Sequence, residues 1–270
     1  MCRWAAYLGK PIFLEDIISR PGHSLVAQSQ EAFECKTKTN GDGFGLAWYG
    51  ERPEPGLYRD VYPAWSDPNL KALSQQVKSG LFLSHVRAST GSAISRNNCH
   101  PFAADRWSFM HNGQVGGFET FRRYADMCVP DELYEQRKGA TDSEVLFLLA
   151  LKEGLDQHPL EALERAVATM ENLSRRRGST PHMRLSAAFS DGQRLFAARY
   201  SSDHIAPSLY YRWNAECGGW TVVSEPLEQK QEGWKLLEPG QFLTLDSKGA
   251  TICPFVPDLS KAQVSGENAA

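Results

Sequence analysis

The feature that most constrains this chain is the order of its apolar patterns: alternating runs, two helical patterns back to back, then alternating runs again. Thr141–Leu151 is strongly apolar, and Val145, Leu146, Leu148 and Leu149 predict a buried helical face. Pro159–Arg175 is amphipathic, with Leu160, Leu163, Val167, Met170 and Leu173 at helical spacing. Ahead of this pair, Cys2–Leu8, Phe44–Tyr49, Leu81–Arg87 and Trp107–His111 read as strands. A helix is expected after Ser66-Asp67-Pro68, with Leu70, Leu73 and Val77 on one face. Behind the pair come strands at Met183–Ser190, Gln193–Tyr200, Leu209–Trp213, Trp220–Ser224, Gln241–Leu245 and Ala250–Cys253. Asp191-Gly192 predicts a tight hairpin turn between the first two of these. The order predicts an antiparallel α+β fold with layered sheets. No Pro/Gly/Ser linker or internal repeat divides the chain, so one domain is expected over residues 2–257, and the polar segment 258–270 is expected to be a mobile tail.

Charge and cysteine usage narrow the function. The formal net charge is −3, and the one basic cluster, Arg175-Arg176-Arg177, ends a predicted helix, where cations complement the dipole. Nucleic acid is therefore not an expected partner. No apolar run approaches the ~20 residues that cross a bilayer, and the N-terminus lacks a signal-peptide pattern, so no membrane association and a cytoplasmic location are expected. The six cysteines are scattered and form no C-x-x-C, so they are expected to be reduced, with no metal site. Asn40-Gly41-Asp42-Gly43-Phe44-Gly45 is glycine-rich but no helix follows it. It fails as a dinucleotide fingerprint, and no cofactor is expected.

Cys2 stands directly behind the initiator methionine. Removal of Met1 would join a thiol and a free α-amine in one residue. The thiol ordinarily titrates near ~8.5 and the amine near ~7.7–8.0, so the pair forms a nucleophile with its own base near neutral pH. The alternative is a buried cysteine opening a strand.

Four further segments carry candidate chemistry. Arg87 ends an apolar strand, where its guanidinium can grip a carboxylate at two points; the alternative is a strand-end arginine paired with a surface acid. Thr90 can add a hydroxyl to the same carboxylate, or serve as a turn residue. His100, in Asn98-Cys99-His100-Pro101-Phe102, reads first as a hydrogen-bonded structural histidine and second as part of a site-shaping loop. In His111-Asn112-Gly113, the Asn112 amide and the Gly113 backbone N–H can face one oxygen as an oxyanion hole, although Asn-Gly is also a common hairpin turn. His111 is a further site-shaping candidate. Thr141-Asp142-Ser143-Glu144 fits a capping box with Thr141 as N-cap and Glu144 reaching back, which leaves Asp142 in the first turn, able to bind an ammonium group.

The parts describe one ligand. An arginine for a carboxylate, an aspartate for an ammonium and a thiolate beside an oxyanion hole for an acyl carbon fit an amino acid with a side-chain amide, such as glutamine or another γ-glutamyl compound.

The motifs Met1-Cys2-Arg3, Asn40 to Gly45, His85-Val86-Arg87-Ala88, His100-Pro101, His111-Asn112-Gly113 and Thr141 to Glu144 fall in the same order as in the class II glutamine amidotransferase domain, which the chain resembles. Ser224-Glu225-Pro226-Leu227 with Gly233-Trp234 extends the resemblance to stand-alone members, including the ergothioneine-pathway γ-glutamyl amidohydrolase. The resemblance implies an N-terminal nucleophile hydrolase fold: a four-layer αββα sandwich of two antiparallel sheets flanked by helices. It implies Cys2 as nucleophile, Arg87 and Asp142 as holders of the α-carboxylate and α-amine, and Asn112 with Gly113 as oxyanion hole. Ala88 and Gly91 stand where synthase-coupled members carry tryptophan and histidine. The leading expectation is an amidohydrolase acting on a small-molecule γ-glutamyl substrate through a thioester. The alternatives are a glutaminase subunit working with a separate acceptor or activating protein, and a non-catalytic γ-glutamyl-binding protein.

Overall fold

The computed structural model describes residues 2–34, 38–89, 93–228 and 232–261. The chain begins with strand β1 (Arg3–Phe13), helices α1 (Glu15–Ile18) and α2 (Leu25–Gln30), strands β2 (Phe44–Tyr49) and β3 (Gly56–Asp60), helix α3 (Pro68–Gln76) and strand β4 (Lys78–Val86). It continues through β5 (Phe102–Ala104), β6 (Trp107–Gln114), α4 (Phe118–Asp126), α5 (Asp131–Tyr134), α6 (Asp142–Lys152) and α7 (Pro159–Arg177). The last third supplies β7 (Arg184–Ser190), β8 (Leu195–Ser201), β9 (Tyr210–Asn214), β10 (Gly219–Val223), β11 (Lys235–Leu236), β12 (Gln241–Asp246) and β13 (Gly249–Pro254).

The strands form two antiparallel sheets, in the orders β11-β9-β10-β1-β4-β2-β3 and β13-β12-β8-β7-β6-β5. Side-chain alternation sorts their residues into three cores. Trp4, Ala6, Leu81, Leu83, Met110 and Ala188 meet between the sheets. Ala5, Tyr7, Phe82 and Val86 face the other way, onto Ile17, Leu25 and Leu70 of α1, α2 and α3. Phe109, Ala187 and Phe189 of the second sheet pack on Leu146, Leu149, Leu163 and Val167 of α6 and α7. Helices, sheet, sheet and helices therefore stack as the expected four-layer αββα sandwich.

Local chemistry sets the helix starts. Asp67 Oδ1 accepts from the Leu70 amide at 2.7 Å at the head of α3, and Thr141 Oγ1 accepts from the Glu144 amide at 3.2 Å at the head of α6. The capping box is only half present: Glu144 accepts from the Lys138 and Gly139 amides and from Arg137 instead of reaching back.

Further features differ from the sequence expectations. Helix α4 was unmarked because it enters through Gly117 at φ +69°, with no side-chain cap, and buries only Phe121 and Ala125. Asp191-Gly192 is not a two-residue turn. Ser190 pairs with Leu195 across a four-residue connection, and Asp191 Oδ1 accepts from the amides of Gln193 and Arg194. Asn112-Gly113 is not a turn at all, because β6 runs through it, pairing Asn112 with Ser186 and Gly113 with Leu185. At the C-terminal end, Leu259–Lys261 forms one 3-10 turn; the remainder of the expected tail lies outside the described residues.

Candidate active site

The alternation that builds the inter-sheet core also places chemistry at one of its ends. Even positions of β1 and β6 and odd positions of β4 face the gap, which puts Cys2, Asn112, His85 and Arg87 on its lining. Pairing of Arg3 with Val86 brings the start of β1 to the end of β4. Cys2 Sγ consequently meets the backbone of Ala88, with the amide nitrogen at 3.4 Å and the carbonyl oxygen at 3.5 Å. Burial pushes the Cys2 thiol pKa up, against the opposing pull of the Ala88 backbone and of the charges on Arg87 and Arg3.

Arg87 is 3% exposed, so it is not a surface strand-end arginine. Its guanidinium donates to the Asp42 carbonyl at 3.3 Å, Ser89 Oγ at 3.2 Å and the Ala93 carbonyl at 3.4 Å. Asp42 fixes the same segment from the other side, since its carboxylate accepts from the Ser89 amide at 2.7 Å. The glycine-rich segment thus braces the end of β4. Met1, Thr90 and Gly91 lie outside the described residues.

The second sheet contributes a separate cluster. Asn112 is 1% exposed, and neither its Oδ1 nor its Nδ2 finds a hydrogen-bond partner among the described residues. Gly113 adopts φ +154°, and a Cβ there would overlap the Arg184 carbonyl oxygen and lie 2.5 Å from His111 Nε2, so only glycine fits. The half-buried Asp142 sits in the first turn of α6, accepting from the Val115 amide at 2.8 Å and the Ser143 amide at 2.7 Å. His111 faces the helices, with Nδ1 2.9 Å from Ser143 Oγ and Nε2 3.1 Å from the Arg184 carbonyl. Burial lowers its pKa, against the charge of Asp142.

Two more histidines occupy the space between the clusters. The rings of His85 and His100 lie 4.3 Å apart, and no ring nitrogen of either has a hydrogen-bond partner among the described residues. This corrects the expectation of a hydrogen-bonded structural His100. Burial drives the His85 pKa down to about 3 and holds that of His100 well below the ordinary value, so both are neutral. Gly45 permits the arrangement, because a Cβ on it would overlap the His100 carbonyl.

A buried ionic hub, whose Arg3 and Glu225 stand in motifs that imply no role for either residue, anchors the neighbour of Cys2. Glu225 accepts from His23 at 2.6 Å and from the Phe33 and Glu34 amides at 2.9 and 3.1 Å, and lies 3.3 Å from Arg3 Nε. Among the described residues, no group of three or more His, Cys, Asp or Glu side chains could hold a metal ion, and no helix is long and apolar enough to cross a membrane.

An antiparallel αββα sandwich with a cysteine at the head of one central strand and an Asn-Gly pair inside the facing sheet is the architecture of a glutamine amidotransferase domain. Residues 24–211 match the class-II glutamine amidotransferases, and the chain belongs to that family of enzymes. It is 33% identical to the probable glutamine amidotransferase DUG3 of Saccharomyces cerevisiae, over 96% of this chain and 85% of that one. It is 27% identical to the gamma-glutamyl-hercynylcysteine sulfoxide hydrolase of Mycolicibacterium smegmatis, over 94% of this chain and all of that one. Among solved structures, a glutamine aminotransferase class-II domain protein from Silicibacter pomeroyi is 59% identical with a TM-score of 0.78, covering 95% of this chain and all of that one. The glutamine phosphoribosylpyrophosphate amidotransferase of B. subtilis shares the fold at 14% identity and a TM-score of 0.61, with 95% of this chain matching 50% of that chain.

Proposed function

We propose that this protein hydrolyses a γ-glutamyl amide through a thioester on Cys2, acting as one catalytic domain over residues 2–257 in the cytoplasm. The observation that carries the reading is the Asn112 carboxamide, buried across the gap from Cys2 and without a hydrogen-bond partner among the described residues. A buried unsatisfied polar group costs about 1–3 kcal/mol, a cost relieved when a ligand oxygen reaches it.

Once Met1 is removed, the Cys2 α-amine takes the thiol proton and sulfur attacks the γ-carbonyl carbon. The carbonyl π pair moves to oxygen, which Asn112 Nδ2 and the Gly113 N–H receive. Collapse expels the amine, which leaves with the proton held by the α-amine. Water then attacks the thioester, releasing glutamate and restoring the thiol. Arg87 holds the substrate α-carboxylate at the end of β4, beside the start of β1 that carries Cys2, and Asp142 holds the α-ammonium. Thr90 is a further candidate for the carboxylate, and His100 and His111 shape the site.

The relative named as a hydrolase of a gamma-glutamyl compound supports a leaving group larger than ammonia. The relative named as a probable amidotransferase supports the second reading, a glutaminase that serves a separate acceptor or activating protein. Measuring kcat/KM of the purified chain for glutamine, γ-glutamyl-cysteine, glutathione and a bulky γ-glutamyl thiol conjugate decides between them. Turnover of a larger γ-glutamyl compound at least as fast as glutamine is expected. Turnover of glutamine alone, and only with a second protein added, replaces the first reading by the second. Tight glutamate-half binding with no turnover of any of them, even from a chain beginning at Cys2, makes the protein a binder.

A further inference from the structure

Asp142, Ser143, His111 and the Arg184 carbonyl form an unbroken line of polar atoms. Ser143 Oγ lies 3.1 Å from Asp142 Oδ1 and 2.9 Å from His111 Nδ1, and His111 Nε2 lies 3.1 Å from the Arg184 oxygen. The two ends are a carboxylate and a carbonyl, neither of which brings a proton. Three contacts therefore need three protons, while the serine hydroxyl and a neutral imidazole supply two. Only an imidazolium completes the line.

With His111 neutral, the least costly arrangement puts its proton on Nε2, facing the Arg184 carbonyl, and turns the Ser143 hydroxyl toward Nδ1. Asp142 then keeps two backbone donors, the Val115 and Ser143 amides, on its roughly four acceptor sites. Two sites stay open to a ligand. With His111 protonated, Nδ1–H donates to Ser143 and the hydroxyl swings to Asp142. A third site is taken and a positive charge stands two hydrogen bonds from the carboxylate, through the Ser143 hydroxyl.

We propose that Ser143 and His111 form a proton-linked brace that sets how much of the Asp142 carboxylate is available to the substrate's ammonium group. They are positioning residues: neither touches the reacting carbon. The proposal rests on the reading of Asp142 as the ammonium holder. The same imidazole lies against Gly113, so the brace also ties that carboxylate to the strand segment that faces the oxyanion.

The other groups around His111 leave Asp142 as its main electrostatic partner. His85 and His100 are neutral, the Arg184 side chain is turned to Asp203 at 2.5 Å, and Glu144 is turned to Arg137 at 2.5 Å. Burial holds the imidazole below its ordinary 6.5, so the neutral, ligand-accepting state prevails at neutral pH. By linkage, an ammonium bound at Asp142 must lower the proton affinity of His111 as much as the proton weakens ammonium binding.

The test is an NMR titration of the His111 imidazole, assigned by its loss in His111→Gln. The pKa should fall in Asp142→Asn and in Ser143→Ala, and should fall when Cys2→Ala protein is saturated with L-glutamate. In the active protein, KM for glutamine should rise as pH drops through the measured pKa, approaching about tenfold per pH unit, the limit for one linked proton. Ser143→Ala should flatten that rise while kcat changes less. An imidazole pKa indifferent to both substitutions overturns the brace, as does a flat KM in a pH range where His111 is seen to protonate. Should Asp142→Asn fail to fold, Ser143→Ala decides alone, since it removes one hydroxyl and keeps the backbone donor. A pKa that shifts in both variants but ignores glutamate keeps the brace and removes Asp142 from ligand binding.

Discussion

The backbone nitrogen of Ala88 lies 3.4 Å from Cys2 Sγ, so the peptide that follows Arg87 donates to the thiol. One strand end thus supplies both the buried guanidinium and a dipole for the sulfur. That donor favours the thiolate, against a burial that favours the neutral thiol. Because it belongs to the backbone, no substitution at position 88 other than proline removes it. Larger side chains there would instead shift Cys2 and Arg87 together.

Cys2→Ala should lower turnover by at least about 10³-fold while retaining the fold and the binding of glutamate. Intact-mass analysis of active protein should show a chain that begins at Cys2. Full activity from a chain that still carries Met1 would remove the α-amine from the mechanism.

Arg87→Lys keeps the charge but not the fork, and a lysine ammonium cannot make the three contacts to Asp42, Ser89 and Ala93 with the same geometry. KM for the γ-glutamyl substrate should rise by roughly 10-fold or more, with thermal stability also reduced. Steady-state kinetics beside a melting curve checks this, and an unchanged KM would place the substrate carboxylate elsewhere.

Asn112→Ala deletes an amide that has no protein partner among the described residues. A group that satisfies nothing in the free protein costs little stability when removed. The expectation is a kcat loss of roughly 10²–10³ with near-normal Tm and a smaller change in KM. Loss of stability with normal kcat would assign the residue to the strand instead of the reaction.

Glu225 is held below the usual carboxylate range: burial would raise its pKa, but His23, the Phe33 and Glu34 amides and Arg3 outweigh it. A folded-state pKa below the unfolded one stabilises the protein above the ordinary value of 4.5, and the gain disappears as pH falls through the folded value. Glu225→Gln should therefore destabilise by roughly 3–5 kcal/mol at neutral pH, where a buried pair is broken. The gap to the parent should narrow as the pH drops below 4.5. Urea unfolding at several pH values measures it, and a pH-independent gap would contradict the assignment.

Periodicity alone made much of this protein legible. The alternation in Leu81–Arg87 and the helical spacing in Pro159–Arg175 are local signals, and burial of one face follows from them directly. The residues proposed for the site could be named from short motifs, which carry the residue types a γ-glutamyl ligand would require. Roles set by distant partners were not. Asn112-Gly113 has the composition of a turn, and only pairing with β7 makes it strand. His100 looked like a histidine with a hydrogen-bond partner until the sandwich placed it against His85. Glu225 lies far along the chain from Arg3 and His23, and nothing near it in sequence announces a hub. The sequence by itself determined which faces are apolar, where helices start and which reactive groups exist. Tertiary structure decided which of those groups share a site and which protons they can exchange, because hydrogen bonds and charge interactions depend on distances that close only when the two sheets stack.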